Sequence, residues 1–504
     1  MLDMVAGFSS KNDGKFNDDL LIKLRQNDDM VSYIDDSCKA IVNLLPDYVK
    51  YKGYYFNDNR KKMLERDEGK DTGNIKCPKN EIRIHINDTY AKEAVFVFDC
   101  TFDGQTVTQK FSMWIPLMID NSHFYIRGNK YSAPIQIIDA ITFTKKNVLV
   151  LKTLTRAIKF ERMKMIITDI YGKSYSTYKL HIYATSKKSV PVVLYFFTYF
   201  GFFRTIEYFG ASDYIKVYSG ALDENVPTDK YIFKYGSVYL AIDKTEFDEN
   251  GTLRMFIATI LDTSKRTMDM DYIRNPVRYT MLLGEAISIP KSLKKGEDLL
   301  KTAIASLDHK TIEIIEQLVP GKKRDNIFSV MRWIFSDYVK QCSKDDGLQN
   351  KRVRLNEYLI SPFTKMFTEK VYRFMNTPEK LKTLSGLMDV FKVKPSLILN
   401  AIIGKISPEY TGLNIAKYSS ETNDDALVNT LLTVTKSGPG SPTEKSKRLG
   451  ISHRQFPIDY IGSIDIIGGT SANDPGISRY IIPINDNFDL EKKIFDIDPV
   501  LIKN

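Results

Sequence analysis

The chain has 504 residues, of which 43% are hydrophobic and 27% charged, a composition that supports folded cores and excludes a wholly disordered protein. Its 72 Lys and Arg residues exceed its 62 Asp and Glu residues, so the net charge is +10 at pH 7. An excess of this size is compatible with a protein that meets nucleic acid over part of its surface, and it is also common in proteins that do not.

The first part of the chain is predicted to begin with helix and then become rich in strands. Residues 1–45 carry apolar side chains at mixed helical spacing and predict a helical N-terminal segment. Residues 81–88, "EIRIHIND", alternate apolar and polar side chains as half-buried strands do. Asp103 and Gly104 lie between two apolar runs and predict the turn of a hairpin. At ~100–200 residues per domain, the length predicts two to four domains.

The longest apolar run is "VPVVLYFFTYFGFF", from Val190 to Phe203. A membrane-spanning helix needs about 20 apolar residues, and Arg204 closes this shorter run. The run therefore predicts a buried helix, and no membrane segment is expected. The N-terminus has early acidic residues and lacks a long apolar stretch, so no signal peptide is expected.

Residues 300–400 are predicted to be mainly helical. Asp308 is expected to cap a helix that Pro320 ends. Thr377 and Pro378 are expected to start a later helix as its cap and first residue. From Ser437 onward Gly, Pro, Ser and Asn dominate, and the helical pattern disappears.

The sequence carries no complete catalytic motif. "TFDGQ", residues 101–105, imitates a magnesium-binding loop, but such a loop needs three aspartates and Asp103 stands alone. The four cysteines and five histidines are scattered, without the spacing of metal ligands or a disulfide framework. No nucleophile is paired with a base in any recognisable motif. We therefore expect no catalytic residue, no metal and no bound cofactor in this chain.

Basic residues are the remaining candidates for function. They cluster in "NKRVRLNEY", residues 350–358, and in the loop "KSGPGSPTEKSKRLGISHRQFP", residues 436–457, which we call the basic loop. Such groups bind phosphates, and much of the affinity comes from the release of counterions. For each cluster taken alone, a solvated charged surface is the simpler interpretation.

Six segments acquire a further meaning when they are taken in chain order. They are "IPLMIDNSHFYIRGNKYSAPIQ" (115–136), "YGKSYSTYKLHIYATSKKSVPVVLYFFTYFG" (171–201), "DDGLQNKRVRLNEYLISPFTKMF" (345–367), "KPSLILNAIIG" (394–404), the basic loop (436–457) and "IGGTSANDPGISRYIIP" (467–483). In this order they resemble the beta subunit of multisubunit DNA-dependent RNA polymerases. The sequence departs from the family pattern at Gly347, where the family has histidine, and in the order of residues 473–476.

The resemblance implies a multidomain α+β fold with four parts. Residues 1–45 would form the N-terminal helical segment, and residues 46–160 and 370–430 a protrusion-like domain. Residues 161–369 would form a lobe-like domain inserted into it. Residues 431–504 would hold the fork loop and the start of the active-centre wall.

The resemblance also implies a set of nucleic-acid contacts. One group would lie along the DNA channel, the basic loop near the downstream fork, and Asn473 near the RNA–DNA hybrid. The residues are Lys351, Arg352, Arg354, Lys436, Lys445, Lys447, Arg448, His453, Arg454, Asn473 and Arg479.

The end of the chain at Asn504 suggests a split subunit, because beta subunits continue for as long again. The resemblance then implies the N-terminal half of a split beta subunit of giant-bacteriophage type, a nucleotidyltransferase subunit inactive alone. The implied partners are the beta C-terminal half, a beta-prime chain that holds Mg²⁺, a promoter-specificity subunit, template DNA and nascent RNA. Its place would be the cytoplasm of an infected bacterium, with the virion as a second location. The alternative is a non-enzymatic nucleic-acid-binding or virion structural protein derived from polymerase domains.

Overall fold

The computed structural model describes most of the chain. The described residues are 28–57, 89–102, 104–119, 123–126, 128–145, 148–185, 187–219, 229–287, 293–319, 321, 324–344, 347–377, 383–403, 417–418, 431–436, 460–465, 478–482, 488–489 and 494–495. The predicted strand at residues 81–88 lies outside them.

The strands are numbered in chain order. They are β1 Val49–Phe56, β2 Ala91–Phe102, β3 Gln105–Pro116, β4 Met118–Ile119, β5 His123–Ile126, β6 Asn129–Ser132, β7 Ile135–Asp139, β8 Thr142–Lys145, β9 Val148–Lys152, β10 Ala157–Thr168, β11 Ser174–Tyr183, β12 Ser189–Pro191, β13 Ile215–Ser219, β14 Lys230–Tyr235, β15 Val238–Asp243, β16 Lys351–Arg354, β17 Lys417–Tyr418, β18 Thr433–Thr435, β19 Ile464–Asp465, β20 Ser478–Ile481, β21 Phe488–Asp489 and β22 Ile494–Phe495.

The helices are numbered in the same way. They are α1 Asp28–Val42, α2 Val193–Phe200, α3 Phe202–Tyr208, α4 Lys244–Glu249, α5 Gly251–Leu261, α6 Met270–Arg274, α7 Pro276–Glu285, α8 Leu293–Ile304, α9 His309–Leu318, α10 Ile327–Cys342, α11 Asn356–Leu359, α12 Ser361–Met375, α13 Leu384–Phe391 and α14 Leu397–Ile402.

The chain divides into two compact units. The first unit comprises Met1–Ile141, Asp308–Pro320 and Lys344–Asn504, and the second comprises Thr142–Leu307 and Gly321–Ser343. Both contain helices and sheets, which confirms the predicted multidomain α+β fold. The division places residues 142–160 with the second unit, and residues 308–320 and 344–369 with the first. The protrusion-like and lobe-like identities of the four predicted parts stay predictions.

A long hairpin organises one part of the first unit. Strands β2 and β3 pair over their whole length, and Phe102 lies opposite Gln105 across the turn. The predicted hairpin is therefore confirmed. Gly104 has φ +77°, a conformation that favours glycine because it lacks a Cβ atom. Behind the hairpin, the Phe98 ring packs against Phe391 of α13, with centroids 4.7 Å apart.

A seven-stranded sheet organises the other part of the first unit. Its strand order is β19-β20-β18-β7-β16-β22-β21. Strand β18 pairs in parallel with β7, while β16 pairs with β7 in antiparallel fashion. One face is covered by a buried apolar cluster that includes Ile135, Val353, Val434, Tyr460 and Ile481. The sheet thus joins segments that are far apart in the sequence, and we call it the central sheet.

The helix starts follow local capping chemistry. The Asp308 carboxylate accepts a hydrogen bond from the backbone N of Thr311 at 2.8 Å, which confirms the predicted cap of α9. The described helix α13 begins at Leu384, and its cap is Thr383, whose side chain accepts from Gly386 N. The predicted cap, Thr377, instead donates its hydroxyl to a carbonyl at the end of α12.

In the second unit, most of the apolar run from Val190 to Phe203 forms helix that is largely buried, as predicted, but Val190 and Pro191 belong to strand β12 and Tyr199 and Phe203 are exposed. The run begins at the end of β12 and continues as helix α2. The helix is interrupted at Gly201, after which α3 begins. Phe196 and Phe197 of α2 are fully buried. No described helix is both long enough and apolar enough to span a membrane.

Two sheets complete the second unit. One has five strands in the order β12-β11-β10-β9-β8, and the other has three in the order β13-β15-β14. Strands β10 and β11 form a hairpin that pairs continuously from Phe160 with Ile182 to Thr168 with Ser174. Helix α5 packs on β11. One face of this long hairpin is therefore covered by other elements of the second unit.

Candidate nucleic-acid interface

The predicted DNA-channel residues lie on β16, in the middle of the central sheet. Lys351, Arg352 and Arg354 are 7%, 8% and 5% exposed, respectively. A sheet strand buried on both faces leaves its charges no access to water, so each charge needs a partner within the protein. The sequence alone had favoured an exposed basic cluster.

Each buried cation has such a partner. Lys351 Nζ lies 2.6 Å from Asp139 Oδ1 on the neighbouring strand β7. Arg352 and Arg354 share one carboxylate, that of Glu357, at 2.8 Å from Arg352 Nη1 and 2.5 Å from Arg354 Nη1. We call Arg352, Arg354 and Glu357 the arginine–glutamate triad.

The remaining donors of the triad hold it to β7. Arg352 Nε donates to the backbone carbonyl of Ala140 at 3.0 Å, and Arg354 Nε donates to Gln136 Oε1 at 2.7 Å. Both contacts reach residues more than 200 positions earlier in the chain. The triad therefore fixes the segment around residue 354 to the segment around residue 136.

The electrostatics of the triad follow from burial and proximity. Burial acts to raise the pKa of Glu357, but the two guanidinium groups outweigh it and lower this pKa to about 2. Burial acts to lower the pKa of both arginines. At Arg352 the attraction of Glu357 outweighs the effect of burial, so the pKa of Arg352 is raised. At Arg354 the effect of burial, together with the neighbouring cation Arg352, outweighs the attraction of Glu357, so the pKa of Arg354 is lowered. All three groups are charged at neutral pH, because an arginine side chain keeps its proton in proteins.

The β16 residues therefore have a positioning role within the chain. Their charges are directed at Asp139 and Glu357, and the contact with DNA expected for them stays a prediction. Sequence reasoning missed both acids. Glu357 carries a signal, since it lies three residues after Arg354 at the start of a helix. Asp139 carries none, because only the fold brings it to Lys351.

Two other predicted residues lie at the far side of the central sheet. Lys436 directly follows β18, and its Nζ lies 4.8 Å from the ring centroid of the buried Tyr460. Arg479 lies on β20 opposite Val434 of β18. Lys436 and Arg479 are both partly buried. Lys436 and Tyr460 therefore both lie at the central sheet, and Tyr460 packs in its apolar cluster.

The other predicted contacts lie outside the described residues. They are Lys445, Lys447, Arg448, His453, Arg454 and Asn473. Their proposed positions near the fork and the hybrid stay predictions.

The central sheet brings together three of the six segments that carry the resemblance, and it adjoins the basic loop. Its neighbouring strands β20, β18, β7 and β16 lie in that order. Strand β7 begins at the end of segment 115–136, β16 lies in segment 345–367, and β20 lies in segment 467–483. Strand β18 leads directly into the basic loop. Segments separated by hundreds of residues are therefore direct neighbours in space.

A second polar cluster, in the second unit, was not anticipated from sequence. His181 Nε2 lies 2.7 Å from Asp262 Oδ2, and its Nδ1 lies 3.2 Å from Ser189 Oγ. These are the residue types of a hydrolytic triad, but Lys179 Nζ occupies the other Asp262 oxygen at 2.6 Å. Burial acts to raise the pKa of Asp262, and His181 and Lys179 outweigh it and lower this pKa. The cluster joins β11 and β12 to the end of α5 as a structural clamp.

Comparison with known proteins decides the family. The sequence profile of the non-virion RNA polymerase subunit family matches residues 6–500. The chain belongs to that family. A comparison with curated proteins finds no match. The prediction of an RNA polymerase subunit is confirmed, and the other subunits of such an enzyme are partners of this chain.

The metal of the polymerase is not assigned to this subunit. Among the described residues of the RNA polymerase subunit, no three His, Cys, Asp or Glu side chains form a group that could hold a metal ion. The expectation that Mg²⁺ is held by another chain stays a prediction.

Proposed function

We propose that this RNA polymerase subunit is the N-terminal half of a split beta subunit of bacteriophage type. It forms one side of the DNA cleft and contacts DNA and the RNA–DNA hybrid. It has no catalytic activity alone and works with the beta C-terminal half, a beta-prime chain that holds Mg²⁺, and a promoter-specificity subunit. It acts in the cytoplasm of the infected bacterium.

One observation carries the proposal. Three of the six segments that resemble a beta subunit in sequence supply strands β7, β16 and β20 of the central sheet, and β18 of the same sheet leads into the basic loop. Two of them are joined directly by the 2.7 Å hydrogen bond from Arg354 to Gln136. Chance likenesses scattered along a chain have no reason to meet in space. Their meeting supports a shared structural unit of the beta type.

The arrangement explains how the chain could position nucleic acid without doing chemistry. A loop binds more selectively when both its ends are held by a rigid element. Strand β18 and Tyr460 supply such an element on either side of the basic loop. The loop's cations would then meet phosphates at a defined place, where backbone contacts set register and orientation.

The virion alternative has less support. The matched family is described as a non-virion polymerase subunit, and no described feature favours a structural role in a particle. We therefore keep transcription as the proposed function.

The basic loop offers the first test. Replacing Lys445, Lys447 and Arg448 by alanine should weaken DNA binding by the assembled polymerase. It should also lower the slope of log affinity against log salt by about 0.7–0.9 for each phosphate that is no longer bound. Binding titrations at several salt concentrations measure this slope.

A matched variant separates local contact from net charge. Lys216, Lys234 and Lys294 are exposed lysines of the second unit, and their replacement by alanine removes the same total charge. We expect this control to leave the slope nearly unchanged. Equal slopes for the wild type and the loop variant would mean that the loop does not touch DNA.

A further inference from the structure

One face of the β10–β11 hairpin is packed, while the opposite face is buried at Phe160 and Leu180 and becomes free toward the tip of the hairpin. Side chains alternate between the two faces of a strand. Tyr175, on the packed face, meets Phe247 with ring centroids 5.3 Å apart, and Lys179 on the same face binds Asp262. The free face carries Arg162, Lys164, Ile166 and Thr168 from β10, and Ser174, Ser176 and Tyr178 from β11.

The outer half of the free face is open to solvent. Ile166 is 70% exposed, and Lys164, Thr168, Ser174 and Ser176 are exposed as well. A single exposed apolar residue is common on protein surfaces, so the accessible cation and hydroxyls around Ile166 are the features that bear on binding.

The free face carries basic and uncharged polar side chains but no acidic ones. Within these two strands it presents cations, hydroxyls and an aromatic ring but no carboxylate. The Arg162 guanidinium lies 3.7 Å from the Tyr178 ring centroid, which holds that cation in place. The nearest acid in sequence, Glu161, is on the other face and accepts a hydrogen bond from Tyr183.

The tip of the hairpin is pinned in one conformation. The buried Asp169 carboxylate accepts hydrogen bonds from the backbone N of Tyr171 at 3.0 Å and of Lys173 at 2.9 Å. It also accepts from the Tyr175 hydroxyl at 3.1 Å. Gly172 provides the positive φ, +83°, that this turn requires. The turn holds Tyr171 with 75% of its surface exposed.

We propose that this face, which we call the hairpin platform, binds single-stranded nucleic acid. Arg162 and Lys164 would contact backbone phosphates, and an unpaired base would stack on Tyr171. A surface that carries cations and an exposed aromatic ring on a fixed backbone is how proteins bind single strands without reading sequence. The platform deepens the proposed function and rests on it, since a polymerase melts its template.

The single strand is favoured over the duplex by the ring at the tip. Paired bases expose only their edges, so Tyr171 would gain little from a duplex. An unpaired base offers its whole face. Charge complementarity favours nucleic acid, because the absence of carboxylates on the free face of the platform strands leaves nothing there to repel phosphates.

Fluorescence anisotropy of the full chain with labelled oligodeoxythymidylate of about 15 nucleotides, near the upper site size of single-strand modules, tests the proposal. Tyr171→Ala should weaken binding by about fivefold to a hundredfold, the effect of losing one stacked base. Tyr171→Phe keeps the ring and should bind as the wild type does. Lys164→Ala should lower the salt slope by about 0.7, as expected for one phosphate contact on a single strand.

Lys216→Ala is the matched control, since Lys216 is exposed on β13 of the same unit but lies off the platform. It should change neither affinity nor slope. Wild-type affinity in both Tyr171→Ala and Lys164→Ala overturns the proposal. So does a loss of duplex affinity in Tyr171→Ala that is as large as the loss of single-strand affinity.

The outcome is distinguishable from failure of the proposed function. If the reconstituted polymerase makes RNA while the platform variants bind single strands normally, the platform is wrong and the subunit assignment stands. If the platform binds single strands as described but the chain never joins a polymerase, the assignment fails.

Discussion

Replacing Glu357 by glutamine should strongly destabilise the central sheet. The substitution keeps the size of the side chain but removes the negative charge that Arg352 and Arg354 share. Two guanidinium groups would then lie buried beside each other without a counterion. The repulsion between the two guanidinium groups and the cost of keeping them away from water would both destabilise the central sheet.

Two independent considerations give the same magnitude. The pKa of Glu357 falls from 4.5 to about 2, and at about 1.4 kcal/mol per unit this shift corresponds to about 3 kcal/mol of stabilisation. Removing one partner of a buried ion pair costs about 3–5 kcal/mol. We therefore expect the variant to lose on the order of 3 kcal/mol of stability.

Hydrogen exchange is the suitable assay, because the chain has two units and a single unfolding free energy would mix them. Amides of β7 and β16 exchange when the central sheet opens. A loss of about 3 kcal/mol should speed their exchange roughly a hundredfold. Amides of the β10–β11 hairpin in the second unit should exchange as in the wild type.

Two controls make the reasoning refutable. Glu369→Gln breaks an exposed pair, with Arg373 at 4.0 Å, and should change exchange little. Replacing Arg352 and Arg354 by methionine together with Glu357→Gln should recover much of the loss, because no unpaired charge remains. If Glu357→Gln alone costs less than about 1 kcal/mol, the triad is not a buried counterion system.

Acid sensitivity and helix capping give two more tests. The stabilisation from Glu357 should be fully present above pH about 4.5 and disappear as pH falls toward about 2, because a lowered folded-state pKa favours the charged carboxylate. Acid titration of the stability of the wild type and of Glu357→Gln measures this stabilisation. Parallel titration curves for the two proteins would contradict the prediction. Asp308→Ala should destabilise α9 by about 1 kcal/mol through loss of its cap; exchange of the α9 amides measures this, with Asp308→Asn as the control that keeps a capping oxygen.

Local features of the fold could be predicted from sequence. The turn of the β2–β3 hairpin and the Asp308 cap depend on residues within a few positions of each other, so their chemistry is visible in the chain. The prediction of buried helix for the apolar run at 190–203 is confirmed for most of its residues, while its first two residues belong to β12. The interruption of this helix at Gly201 was not predicted, although the glycine lies within the run.

Long-range features could not be predicted. "KRVR" on β16 has the composition of a surface cluster, and nothing nearby reveals that all its cations are buried. Asp139 and Gln136, which bind Lys351 and Arg354, come from a strand over 200 positions earlier. Only the folded sheet shows that these charges hold the chain together.

The family assignment followed the order of motifs rather than any single one. The sequence resemblance identified the chain as a polymerase subunit, and the matched family confirms that identification. It could not reveal the hairpin platform. Segment 171–201 contains half of that hairpin, but the exposure of Tyr171 and the Asp169 contacts depend on the folded turn.

RNA synthesis by the reconstituted enzyme tests the central claim most directly. The beta C-terminal half and the beta-prime chains should be assembled with and without this chain, and transcripts measured on a double-stranded promoter template. We predict RNA only from the complete set, and co-purification of this chain with the others. RNA synthesis at the same rate without this chain, or failure of the chain to join the complex, would contradict its role as a subunit that forms one side of the DNA cleft.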